Sequence, residues 1–280
     1  MAITNFQRTV WSAKIQRALE TITGLKNHSD YQFEGDIKYA KEVKILGIVR
    51  PTIKTYVPGT AIELEVPTDS SQMLKIDQMR YFNFAVEDVD KAQSQPGLMD
   101  ALADEAGKGL AEEADKYIAS IVAEGVEDET IASTDATITK TNAISTLEDA
   151  LAVLYTNNVK TTEELYYEVT PKVFTLLRQS LTELFTENVE MAKKGVVGRY
   201  GNALICVENN LPTIEEGETS SKVTKKILIL RTKKAIAYVG QIDKTEAYRP
   251  ENAFQDAIKA LFVFGAKVVR PKEIYCIKVA

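Results

Sequence analysis

The stretch KIDQMRYFNFAVEDVDKAQSQPGLMDALADEAGKGLAEEADKYIASIVAE, residues 75–124, decides the fold. In its first part Ile76, Phe82, Phe84 and Val86 are spaced by even numbers of residues, the period of a strand. Pro96 and Gly97 break the chain. Leu98, Leu102, Ala106, Leu110, Ala114, Ile118 and Ile121 then recur at steps of three and four, which predicts a helix over 98–124. At about 1.5 Å per residue such a helix is roughly 40 Å long. Its acid pairs, Asp104-Glu105 and Glu112-Glu113, fall on the solvent side, where exposed carboxylates solubilise and do no acid–base work. Gly107 and Gly109 inside the pattern read as small residues under a closely approaching backbone, with a bend as the alternative.

Working backwards, residues 31–86 read as strands: Glu42–Val49, Ile53–Val57, Ile62–Val66 and one long strand Met73–Val86. TYVPGTAIELEV reads as a hairpin with Pro58-Gly59 at its turn. These early strands hold few large apolar residues, so a projecting pair needs another surface to lie on. Residues 5–22 read as an amphipathic helix with Trp11, Ile15, Leu19 and Ile22 on one face. The chain's only tryptophan, so near a terminus, implies a docked arm.

Working forwards, Gly125–Thr141 reads as a polar loop with some short strand character, Asn142–Asn157 as a helix, and Tyr166–Thr170 (YYEVT) as a buried strand. Pro171 opens a further helix through Val173, Leu177, Leu181 and Leu184. GVVGRYGNALICVENNLP, residues 195–212, reads as a turn-rich entry, a buried strand and an exit loop. Strands are expected at Lys226–Arg231, Ala235–Val239, Ala257–Val269 and Glu273–Val279.

Composition excludes several classes. The 280 residues carry a net charge of −6, against a general nucleic-acid binder. No apolar run is long enough to span a bilayer, and the N-terminus lacks the pattern of a signal peptide. Cys206 and Cys276 sit in apolar runs without CxxC partners and read as buried thiols. His28, the single histidine, reads as part of a polar loop without metal-ligand spacing. Neither a nucleophile elbow nor a phosphate-binding loop occurs, and Gly195, Gly198 and Gly201 are turn glycines. No catalytic residue, cofactor or metal is expected. Charge is unevenly spread: residues 86–130 hold 13 acids and 3 bases, and residues 191–280 hold 16 bases and 9 acids. Solvated faces explain this, as do acidic and basic borders meeting between subunits.

The ordered set of arm (VWSAKIQRAL), strand-rich excursion, LKIDQMRYFNFAVEDVDKAQ running into a long helix, and GVVGRYGNALICVENNLP resembles the major capsid proteins of tailed bacteriophages, the Hong-Kong-ninety-seven-type shell fold. It looks closest to the branch similar to the P-twenty-two-like coat proteins. The resemblance implies an α+β fold with an N-arm (1–30), an extended loop or E-loop (31–86), a peripheral domain (87–134 and 241–269) carrying the spine helix 98–124, and an axial domain (135–240 and 270–280). It implies a non-enzymatic coat protein that self-assembles into hexamers and pentamers of an icosahedral shell around phage DNA. It also implies a virion location, assembly in the host bacterial cytoplasm, weak non-specific DNA contact and a portal. No long extension precedes the arm, so a fused scaffolding segment is absent or was removed, and where scaffolding is needed a separate protein supplies it. Trp11, Lys54, Tyr56, Pro58, Gly59, Glu112 and Glu113 are the expected inter-subunit contacts. No Lys–Asn pair matches the crosslink found in part of the family. An encapsulin-like compartment is the alternative within the fold, and a cytosolic enzyme or binding protein the alternative outside it.

Overall fold

The computed structural model describes residues 24–33, 41–48, 52–56, 58–59, 61, 64, 69–87, 98–180, 196–216, 222–251 and 254–279. Trp11 and the helix expected over 5–22 lie outside them, as do Pro96, Gly97, Leu181 and Leu184. The described elements in chain order are a one-turn helix α1 (Gly24–Asn27), β1 (Glu42–Ile48), β2 (Asp69–Lys75), β3 (Gln78–Glu87), α2 (Leu98–Glu127), β4 (Ala132–Asp135), α3 (Ala143–Thr156), β5 (Leu165–Val169), α4 (Pro171–Ser180), β6 (Val196–Tyr200), β7 (Ala203–Val207), β8 (Thr213–Glu216), β9 (Val223–Thr232), β10 (Ile236–Tyr248), β11 (Gln255–Val268) and β12 (Ile274–Val279).

They form three sheets. β1 and β2 make an antiparallel ribbon; β10, β11 and β3 make a second sheet in that order; and β4-β12-β9-β5-β7-β6, with β8 also on β9, make a seven-stranded third. The strand expected over Met73–Val86 is therefore two strands in two sheets. Ile76 and Asp77 separate them, and Ile76 N–H donates to Lys41 O (2.9 Å), one step further in the register of the β1–β2 ribbon. Even spacing continued across that break, so periodicity alone did not reveal it.

α2 runs 30 residues, three further than expected. Ala103, Leu110, Ala111, Ala114, Ile118, Val122 and Val126 are buried, whereas Leu102 is on the exposed side. Because 3.6 residues make a turn, Ala103 takes the inward position that Leu102 was expected to hold. The helix ends where Glu129 adopts a positive φ of 55°, and Thr130 Oγ1 and Ile131 N–H both donate to the Gly125 carbonyl (2.9 and 2.8 Å). These bonds satisfy an otherwise unpaired helix-end acceptor. Among the described residues nothing lies within 4 Å of a side chain added at Gly109, so none of their backbones accounts for this glycine.

The main core joins α2, α3 and the seven-stranded sheet through Ile118, Leu147, Leu154, Tyr167, Ile205, Leu228 and Leu230. β5 is buried at every position except the half-buried Tyr166, as expected of a strand covered on both faces. α4 starts where expected, with Thr170 Oγ1 accepting from Val173 N–H (3.3 Å) as its cap. The entry to β7 is itself a strand, β6, closed on β7 by a turn at Gly201, whose φ is +57°. β4 supplies the short strand within the polar tract 125–141, paired parallel to β12.

Candidate inter-subunit surfaces and a buried polar cluster

The ribbon is built on alternation. Val43, Ile45, Leu74 and Ile76 face inward and pack on Ala237 and Val239 of β10. Gly265 of β11 lies under the ribbon's base, where an added Cβ would stand 2.1 Å from the Lys75 carbonyl oxygen. Lys267 Nζ donates to Met73 O (2.9 Å), and Gln72 Nε2 to Val269 O (3.1 Å). Every β1–β2 pair, from Glu42↔Lys75 to Ile48↔Asp69, is centred on the Pro58–Gly59 bond. Those two residues form a turn, and Gly59 has a φ of +90°, a region that suits glycine. The expected turn is therefore at the register centre. Residues 52–56, however, belong to no strand, so the strand expected over Ile53–Val57 does not form in its described part, residues 53–56. The ladder that sets the ribbon is the more apolar root, where burial on β10 supports it.

Of the expected contact residues, Lys54 and Tyr56 are exposed next to that turn, with Tyr56 at 65%. Leu46, Ile53, Leu64 and Met73 are exposed on the same ribbon and its loop. Glu112 and Glu113 are on the outer side of α2, as expected. Both pair with Lys116 (3.0 and 3.2 Å), and Glu113 also with Arg80 of β3 (3.6 Å). Sequence reasoning missed Met79 and Tyr81, which stand 58% and 77% exposed on the outer face of β3. One end of that sheet face lies under the chain's own ribbon. On it Val263, opposite Met79, packs on the ribbon's apolar cluster, while Leu261, opposite Tyr81, is half-buried.

His28 overturns its expectation. It is buried, not in a solvated loop, and stacks on Tyr166 with ring centroids 4.3 Å apart. Its Nδ1 lies 3.4 Å from Glu168 Oε1, and its Nε2 lies 3.8 Å from Cys206 Sγ. Glu168 in turn meets Arg231, whose Nη2 donates to Oε1 at 2.7 Å and whose Nε donates at 3.2 Å. Both side chains are fully buried. Burial alone would raise the Glu168 carboxyl, but the Arg231 charge and the His28 hydrogen bond outweigh it and hold it below its ordinary value. Burial lowers His28, so the imidazole is neutral. Both cysteines are buried thiols, as expected, and burial raises them. Glu168 in a buried strand and Arg231 after the run ILIL were visible as charges in apolar surroundings. Pairing them required the β5–β9 register, which sets Tyr166 opposite Arg231 and Glu168 opposite Ile229.

Among the described residues no group of His, Cys, Asp and Glu is arranged to hold a metal, and no helix is long and apolar enough to cross a membrane. What the geometry offers is a long braced helix, a projecting ribbon with apolar residues on its outside, and a partly uncovered sheet. Exposed apolar surfaces of this kind mark places for contact with other polypeptide.

Comparison with known proteins agrees. Residues 71–277 match the phage capsid protein family, and the chain belongs to it. A search of curated proteins returned no relative. Among solved structures, a chain from Mycobacterium phage Che8 is 27% identical, with 91% of this chain and 90% of that one covered and a TM-score of 0.70. The capsid of cyanophage P-SCSP1u is 17% identical, with 94% and 86% covered and a TM-score of 0.68. A virus-like particle from Pyrococcus furiosus shares the fold at 14% identity, with 97% and 99% covered and a TM-score of 0.58. The protein is a shell-forming coat protein of the tailed-phage major-capsid type, with the α+β fold of that group. Its place is the virion capsid and its role is structural.

Proposed function

We propose that this subunit builds an icosahedral shell around phage DNA from hexamers and pentamers of itself, and that its ribbon is the E-loop that clasps a neighbour. The observation that carries this reading is the ribbon's own surface. Leu46, Ile53, Tyr56, Leu64 and Met73 are exposed around a turn at Pro58–Gly59. Leaving so much apolar surface in water is unfavourable by about 25 cal/mol per Å², and a second copy removes it. The seven-stranded sheet supports an axial domain over 135–240 and 270–280, reaching back to Ala132 through β4. The β10–β11–β3 sheet with α2 supports the peripheral domain, to which β3 is better assigned than to the E-loop (31–86). The N-arm (1–30), through Trp11, interlocks neighbours in the same way.

The acidic outer side of α2, including Glu112 and Glu113, meets the basic C-terminal third of a neighbour in head-to-tail contacts. The subunit has no catalytic function. Assembly takes place in the host bacterial cytoplasm, with a separate scaffolding protein and a portal, and the inner surface touches packaged DNA weakly and without sequence preference.

The test is electron microscopy of particles formed by the full chain, alone and co-expressed with the neighbouring phage genes. Closed shells with hexameric and pentameric capsomers and DNA inside are expected. A stable monomer under all salt and scaffold conditions would refute the reading, and an enzyme cargo would move it to a nanocompartment.

A further inference from the structure

The segment Gly24–Tyr31 joins the N-terminal part of the chain to the body, and it is seated by an unusual set of groups. Arg231 Nη2 donates to Leu25 O and its Nη1 to His28 O, both at 2.8 Å. The Lys26 N–H donates to Asp115 Oδ1 of α2 at 2.9 Å. Asp30 then bridges to β10, its N–H donating to Ile236 O (2.8 Å) and its carbonyl accepting from Tyr238 N–H (3.0 Å). The carboxyl of Glu208, just after β7, lies against Gly24, where an added Cβ would stand 1.3 Å from Oε1. One short segment is thus clamped between α2, the end of β7, β5 and β9.

Three buried carboxyls converge there from separate elements: Asp115, Glu168 and Glu208. Facing them from β9 is the Arg231 guanidinium, which pairs with Glu168 and spends its remaining contacts on backbone carbonyls and Ser29. From the segment itself come neutral His28 and Lys26, whose Nζ stands over the Tyr238 ring, 5.3 Å from its centroid. Lys233 acts on His28 from beyond the end of β9. Tyr166 on β5, Cys206 on β7 and Cys276 on β12 are kept in their uncharged forms by burial. Arg231 is already paired with Glu168, so ionising Asp115 and Glu208 as well would gather three negative charges in one buried site.

We propose that Gly24–Tyr31 is a proton-controlled latch: with Asp115 and Glu208 as neutral acids it is seated between α2 and the seven-stranded sheet, and their ionisation unseats it. The proposal concerns the subunit alone and does not rest on the shell reading.

The sign follows from linkage. Burial pushes the Asp115 carboxyl up to about 7 and the Glu208 carboxyl up to about 8, while exposed carboxyls ionise near pH ~4. The seated form therefore holds protons that the unseated form releases, and the seat weakens as pH rises until about 8. His28 acts oppositely: it is held neutral when seated, so protonation favours unseating only below about 6.5. Between about pH 6.5 and 8 the two acids govern.

Hydrogen–deuterium exchange of the full chain tests this, with rates corrected for the intrinsic pH dependence using the unfolded chain. Protection across residues 24–31 should fall by roughly tenfold or more from pH 6.5 to 8, while the β5–β9 ladder stays constant. Asp115→Asn with Glu208→Gln should flatten that profile. Glu208→Gln alone should remove its upper part, which keeps the test open if the double variant folds poorly. Protection that is independent of pH in the wild type, or an unchanged decline in the folded variants, would overturn the latch.

Discussion

Arg231 and Glu168 form a fully buried ion pair at 2.7 Å, and the same guanidinium holds the backbone of residues 25 and 28, more than 200 positions away in sequence. Removing one partner strands the other charge in the core, which typically costs about 3–5 kcal/mol. Glu168→Gln or Arg231→Met should each lower the denaturation midpoint strongly, and the paired change to apolar residues should restore much of the loss. A double-mutant cycle by urea denaturation of unassembled subunits measures this.

Gly24 has no room for a side chain because the Glu208 carboxyl occupies it. Gly24→Ala should destabilise the subunit by about 1–3 kcal/mol, the usual range for overpacking. Combining it with Glu208→Ala should cancel most of that cost, as thermal melts of the two variants would report.

The whole subunit should be most stable on the acid side of neutrality. Burial keeps Asp115 and Glu208 protonated, up to about 7 and about 8, so stability declines as pH rises towards those values and then levels off. On the acid side, the lowered Glu168 contributes stability that is lost as pH falls through its folded value, and His28, lowered by burial, takes a proton only on opening. Each proton linked to unfolding gives a slope of up to about 1.4 kcal/mol per pH unit. Melting temperatures from pH 4 to 9 check the shape, and Asp115→Asn should flatten the decline below about pH 7.

The ribbon's root and its distal half should separate experimentally. Replacing residues 50–67 by a short turn keeps the Glu42–Ile48 and Asp69–Lys75 ladder and its packing on Ala237 and Val239. The product should remain folded by circular dichroism and fail to form shells by electron microscopy.

Tyr81→Ser on the outer face of β3 should leave subunit stability within about 0.5 kcal/mol, because the side chain is 77% exposed. It should nevertheless reduce shell yield, as should Trp11→Ala. Parallel losses of stability and assembly would place these residues on their own subunit instead.

The sequence by itself determined the local elements whose causes are local. The three- and four-residue steps through Leu110, Ala114 and Ile118 specified α2, Pro171 opened α4, and Pro58-Gly59 marked the ribbon's turn. The ordered set of these features was enough to indicate the shell fold. Only the tertiary structure decided what long-range partners impose. It split Met73–Val86 between two sheets, because even spacing continues through the break at Ile76 and Asp77. It moved His28 from a loop into the core, because polarity in a short segment says nothing of an Arg231 placed there by β9. The stretch 75–124 therefore fixed that a long helix follows a strand. Which charges that helix buries, Asp115 among them, depended on a segment that ends far upstream and on a sheet built far downstream.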